Sequence, residues 1–124
     1  MECPYCNARA VLVLSKIVYG KDYGKMWICS NYPNCDTYVG CHKGTDTPLG
    51  NMANASLRKL RIATHLRFDN LWKTGRMKRG KAYSWLSKVM DLSIQNTHIG
   101  NFSERQCKDA ISFINSIRGI TNGV

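Results

Sequence analysis

A chain of 124 residues, 44% hydrophobic and carrying a net charge of +10, has room for one domain or two very small ones. No apolar run approaches the roughly eighteen residues of a membrane span, and Met1-Glu2-Cys3 opens no apolar leader, so a cytoplasmic protein with no membrane partner is expected. Thiols stay reduced there, which turns the six cysteines toward metal and away from disulfides.

The cysteines set the first third of the chain. Cys3-Pro4-Tyr5-Cys6 is followed, after a run long enough for a β-hairpin, by Cys29-Ser30-Asn31-Tyr32-Pro33-Asn34-Cys35. Zn²⁺ takes four tetrahedral ligands at about 2.3 Å from sulfur, and a Cys-x-x-Cys turn is the tightest loop that brings two sulfurs to one ion. The second loop is longer than the usual spacer, a variant of the pattern. One structural Zn²⁺ on Cys3, Cys6, Cys29 and Cys35 is the expectation, against a background of unbound or disulfide-paired thiols.

Residues 10–19 are β-branched and aliphatic and read as a strand. Gly20 to Gly24 supplies the turn, with glycines free to take positive φ. Lys25 to Ile28 is the return strand, and Asp36 to Gly40 a third. A sheet this small lacks the core to offset its chain entropy, so the metal has to supply folding energy.

This layout resembles the zinc ribbons at the C-terminal end of type IA DNA topoisomerases over residues 3–40. The resemblance implies contacts with single-stranded DNA or with RNA polymerase. Asn7 stands where those ribbons place glycine, and asparagine tolerates the left-handed conformation. Cys41 lies beside His42, but four better-spaced thiols complete the tetrahedron. Cys107 falls on an apolar helical stripe and reads as a small buried hydrophobe.

The expected organisation is a ribbon over residues 1–44, a Gly/Thr/Pro/Asn-rich connector over 45–53, and a basic helical domain over 54–124. Asn54 is placed to cap a helix through about Lys73, with Leu57, Leu60, Ala63, Thr64, Phe68, Leu71 and Trp72 on one arc. Trp72 reads as core before base-stacking platform. Thr74-Gly75 ends that helix, and Ala82, Trp85, Leu86 and Val89 mark the next. Ser103 to Gln106 reads as a capping box, followed by a stripe of Cys107, Ala110, Ile111, Ile114 and Ile117. Gly119 is expected to end that helix. The fold class is α+β: a three-stranded antiparallel zinc ribbon packed against a small bundle of about three helices.

Charge is unevenly placed, net +1 over residues 1–50 and +9 over residues 51–124. Between residues 58 and 88, ten Lys or Arg stand against one acid, Asp69. Such an excess suits a polyanion, and its bland alternative is a solvated, solubilising face. Arg76, Lys78, Arg79 and Lys81 gather at the start of a helix, where cations oppose the macrodipole. A cluster that local physics disfavours invites phosphate.

Over residues 3 to about 115 the chain also resembles a zinc-finger-containing family found mainly in phage and prophage genomes. The residues that carry the likeness include Cys29-x-Asn31-Tyr32-Pro33-x-Cys35, Val39-Gly40-x-His42-Lys43-Gly44-Thr45, Pro48-Leu49-Gly50, Ala82-Tyr83-x-Trp85-Leu86 and His98-Ile99-Gly100. It implies a phage-encoded protein in a host cytoplasm and brings no activity with it.

Nucleic-acid binding without strong sequence specificity, DNA slightly before RNA, is the leading expectation. Arg58, Lys59, Arg61, Lys73, Arg76, Lys78, Arg79 and Lys81 would hold phosphates, and Tyr32, with Trp27 or Tyr38, would stack on bases. The alternative is a module that docks on a host polymerase, nuclease or defence protein. An enzyme is least supported, because a four-cysteine zinc has no open position. A nuclease-like grouping of His42, His65 and His98 with Asp69 or Asp91 is the remaining route, which keeps His42, Lys43 and His98 as further candidates.

Overall fold

The computed structural model describes residues 1–122, with side chains as far as Ile117. The chain is α+β and divides into two compact units, Met1–Arg58 and Lys59–Val124. No helix among the described residues is long and apolar enough to cross a membrane.

The first unit is a three-stranded antiparallel sheet in the order β1-β2-β3, with β1 Ala10–Leu14, β2 Lys25–Cys29 and β3 Tyr38–Gly40. The register pairs Ala10 with Cys29 and Leu12 with Trp27, then Trp27 with Val39 and Ile28 with Tyr38. The central strand is covered on both faces, with Cys29 buried at its end on the face of Trp27. Met26 and Ile28 are buried, and Trp27, on the opposite face, is half-buried.

The strand expected over 10–19 stops at Leu14, and a single helical turn, α1 Lys16–Tyr19, follows. Ser15, almost fully buried, is the reason. Its carbonyl accepts the amides of Val18 and Tyr19 at 3.0 Å, and its own N–H donates to Gly24 O at 2.8 Å. Its Oγ accepts the Tyr23 amide at 2.6 Å. These local bonds outweigh the β-propensity of Ile17-Val18-Tyr19. Gly20 at φ 74° closes the turn, a conformation that favours glycine.

Residues 41–53 run back along the sheet. Cys41 bridges Pro48, Tyr38 bridges Ala53, and the Trp27 indole N–H donates to Asp46 O at 2.8 Å. Met52 from this stretch is buried against Cys3, Ala10 and Cys29. Asn54 caps α2, Ala55–Lys73, by accepting the Leu57 amide at 3.0 Å.

Arg58 ties the start of α2 to β3. Its guanidinium donates to Asp36 O and Ala53 O, each at 2.6 Å, and lies 3.6 Å over the Tyr38 ring. A planar fork that also stacks is something lysine cannot imitate. Arg58→Lys, which keeps the charge, should therefore cost about 2 kcal/mol, on the order of 10 °C in the Tm of a unit this small. A melt matching wild type would remove this clamp from the account of the fold.

The second unit holds the rest of α2, α3 Arg79–Val89, a 3-10 turn Ile99–Asn101 and α4 Glu104–Asn122. Its core is Phe68, Leu71, Ala82, Leu86, Ile99, Phe102, Cys107, Ala110 and Ile114, each at most 1% exposed. The helix ends follow the sequence closely. Gly75, at φ 80°, sits past α2, and the Ser103–Gln106 capping box forms in both directions at 3.2 and 3.0 Å. One end differs, because α4 runs past Gly119 to Asn122, and Asp91 takes φ 54° after α3. Aspartate tolerates this region, so a C-terminal turn needs no glycine to mark it.

Candidate metal centre

Cys3 and Cys6 come from a turn held by the Cys3 amide on Ala8 O at 2.8 Å and the Asn7 amide on Cys3 O at 3.0 Å. Asn7 takes φ 63°, the left-handed conformation that asparagine tolerates. Cys29 ends β2, and the Cys35 amide returns to Asn31 O at 3.1 Å, closing the longer loop around a cis Tyr32–Pro33 peptide. The hairpin thus carries the second loop to the first.

All four sulfurs lie within 4.8 Å of one another. Cys3 Sγ is 3.6 Å from Cys35 Sγ, and Cys6 Sγ is 3.4 Å from Cys29 Sγ. A tetrahedron with Zn–S near 2.3 Å has edges of about 3.8 Å, so these spacings suit one zinc ion. They are far from the roughly 2.05 Å of a disulfide, and all six cysteines are free thiols.

Donors surround the sulfurs in a repeating pattern. The backbone amides of Tyr5 and Cys6 face Cys3 Sγ, that of Ala8 faces Cys6 Sγ, and that of Asn31 reaches Cys29 Sγ at 3.4 Å. The Asn31 side-chain amide lies 3.6 Å from Cys6 Sγ, and Thr37 Oγ1 lies 3.3 Å from Cys35 Sγ. Sequence reasoning passed over Asn31 and Thr37, although each stands two places after a ligand, where an amide or hydroxyl meets sulfur. Partners of this kind orient thiolates and spread their charge.

The thiols do not ionise together by themselves. Burial raises Cys3, but the amides of Cys6 and Tyr5 outweigh it and bring the thiol down to about 6. The Ala8 amide lowers Cys6. Burial pushes Cys29 up to about 12. A divalent cation supplies the charge that lets all four become thiolates at once. Cys3, Cys29 and their buried neighbours Ala10 and Met52 form one small core, so metal site and hydrophobic core are the same object.

Cys41 stands outside the quartet, half-buried, and burial raises its thiol. Cys107 is fully buried in the second unit, as its stripe implied. His42 and Lys43 are exposed on the loop of residues 42–47 in the first unit. His65 is half-buried on α2, and its burial holds it below the usual imidazole range, opposed by Asp69 and reinforced by His98. The cysteine quartet is the one group of three or more such side chains among the described residues placed to hold a metal.

The basic residues sort into two kinds. Arg58 is spent on the clamp described above, and Arg61 Nε donates to Phe102 O at 3.0 Å. Lys59, Lys73, Arg76, Lys78, Arg79 and Lys81 are exposed. Lys73 lies 3.8 Å from Asp69, and Arg79 lies over the rings of Tyr83 and Trp72 at 4.9 and 5.6 Å. Trp72 is half-buried and donates its N–H to Asp69 at 3.2 Å. On the ribbon, Tyr32 is half-buried with its ring edge-on to Tyr38, whose face Arg58 covers.

Comparison with curated proteins and comparison with solved structures each return no match. A family of zinc-finger-containing domains, DUF3268, matches residues 1–117, nearly the whole chain. Four convergent thiols at zinc spacing are what that description requires. The chain belongs to this zinc-finger-containing family.

Proposed function

We propose that this is a small phage-type protein of the host cytoplasm that binds nucleic acid, with its structural zinc serving the fold and the chemistry of recognition falling to its basic surface. The observation that supports this best is the turn between α2 and α3. Residues 73–81 hold five exposed cations and no acid, and Lys78 caps α3 with no side-chain bond to its first amides. Phosphate satisfies both the cations and those amides. Arg79 over Trp72 and Tyr83 keeps one guanidinium beside aromatic faces, an arrangement suited to backbone contact without base readout.

The reading is of a binding protein and not an enzyme. A zinc held by four cysteines keeps no position for a substrate or water. The cleft beside the turn, lined by Asn70, Leu71, Thr74 and Arg76, is about 150 Å³. Small-molecule sites run from roughly 300 Å³ upward.

A salt series tests the reading. Engagement of four or five phosphates gives a log Kd against log salt slope of about 4 on duplex DNA. Lys78→Ala with Lys81→Ala should lower that slope by about 2, with the fold intact because both side chains are exposed. Binding weaker than about 100 µM at physiological salt, or a slope indifferent to the double change, rejects it.

One observation favours docking on a host protein instead. Ile62 and Leu66, one turn apart on α2, are 61% and 64% exposed between Lys59 and Lys73. An exposed apolar pair with a lysine toward either end of its helix suits an acidic protein surface. Capture of one partner from host lysate that survives nuclease treatment and is lost in Ile62→Ser would favour this second reading.

A further inference from the structure

We propose that the ribbon carries a tyrosine platform for the unpaired bases of a single-stranded nucleic acid; this deepens the nucleic-acid reading above and rests on it. The platform is built by the connection between β1 and β2. Antiparallel strands can be joined by two residues, yet here residues 15–24 make a helical turn and a loop. The buried Ser15 pins that loop by its bonds to Tyr23 and Gly24. The result is to set Tyr19 against Tyr23, with ring centroids 5.9 Å apart at 76°.

Tyr19 also meets Tyr38 at 6.0 Å and 88°, and Tyr38 meets Tyr32 at 6.3 Å and 70°. In each of these edge-to-face contacts the edge of one ring rests on one face of the other, so the ring surface left open is what exposure shows. Tyr19 is 51% exposed and Tyr23 73% exposed, an unusual amount of ring to leave in water. Burial and the bond to Tyr38 raise the Tyr19 phenol to about 12. The charge nearby is positive: Arg58 lies on Tyr38, and Lys16 and Lys21 flank Tyr19 and are exposed. Asp22, the acid of this loop, accepts the Gly24 amide at 2.9 Å.

Exposed tyrosine rings beside cations match a ligand that offers flat apolar surfaces along a polyanionic backbone. A single strand does so, whereas the internal bases of a duplex have both faces covered. The carboxylates of an acidic polypeptide would use the cations and gain nothing from the tyrosine rings. The occupant is therefore a single strand.

The test titrates the full-length zinc-loaded protein with a dT oligonucleotide, a duplex of equal length and polyglutamate of matched charge. Tyr23→Ala removes the most exposed ring, and it should weaken dT binding roughly tenfold, the loss of one stacked base. Tyr23→Phe should retain it, and duplex affinity should not change in either variant. Equal dT affinity in Tyr23→Ala and wild type overturns the platform, as does a loss in Tyr23→Phe as large as in Tyr23→Ala, or polyglutamate binding as tight as dT. If DNA binding follows Lys78 and Lys81 but ignores Tyr23, the platform alone fails. If neither DNA form binds at low salt, the nucleic-acid reading fails with it.

Discussion

Cys29→Ser is expected to reduce zinc from one per chain to none and to unfold residues 1–58, while the helical signal of residues 59–122 persists. The size of the effect follows from what the first unit has to fold with. Its buried apolar side chains are few, chiefly Cys3, Ala10, Met26, Ile28, Cys29, Met52, Ala53 and Leu57, and two of these are themselves ligands. A unit of about sixty residues buries little of its unfolded surface and is marginal without a staple. Structural zinc contributes about 10–16 kcal/mol of apparent binding free energy near neutral pH, more than such a core supplies. Serine at position 29 removes the ligand and also a sulfur 1% exposed in that core. Cys6→Ser separates the two contributions, because Cys6 is exposed and loses only its ligand role. Cys41→Ser should keep full zinc and full stability. The same binding weakens as pH falls, since each thiolate must take a proton to release the metal. A Cys29→Ser protein that still held one zinc per chain and melted like wild type would remove the metal from its place as the organiser of the unit.

The features legible in the sequence were those in which one residue type has one physical reason to stand in one place. Four thiols at knuckle spacing, Asn54 as a cap, Gly75 past a helix and the reciprocal Ser103–Gln106 pair could all be read from the chain and recur in the structure. What stayed hidden depended on tertiary neighbours. Ile17-Val18-Tyr19 has strand propensity, and only the carbonyl and hydroxyl of a buried Ser15 make it helical. Arg58 carries the same charge as Lys59, but two carbonyls and a ring claim one and leave the other exposed. A charge count cannot separate them. The tyrosines were equally concealed: Tyr32 and Tyr38 were candidates, whereas Tyr19 and Tyr23 become their neighbours only through the helical turn the sequence did not announce.

Phe68→Ala should cost the second unit about 3–5 kcal/mol, among the largest effects expected outside the metal site. Phe68 is wholly buried, and its ring meets Tyr83 edge-on at 4.7 Å and 63°. That contact joins the middle of α2 to the first turns of α3, and Tyr83 in turn lies beneath the Arg79 guanidinium. Truncation leaves a cavity at the point where the two helices meet, in a unit whose whole stability is on the order of 5–15 kcal/mol. Phe68→Leu, which refills most of the volume, should recover the greater part of the loss. Zinc should remain at one per chain in both variants, because every ligand and every buried neighbour of the sulfurs lies in the first unit. A thermal melt followed by helical signal, with metal content measured on the same sample, distinguishes this outcome from that of Cys29→Ser. Loss of zinc in Phe68→Ala, or a cost below about 1 kcal/mol, would show that this ring does not hold the helical unit together.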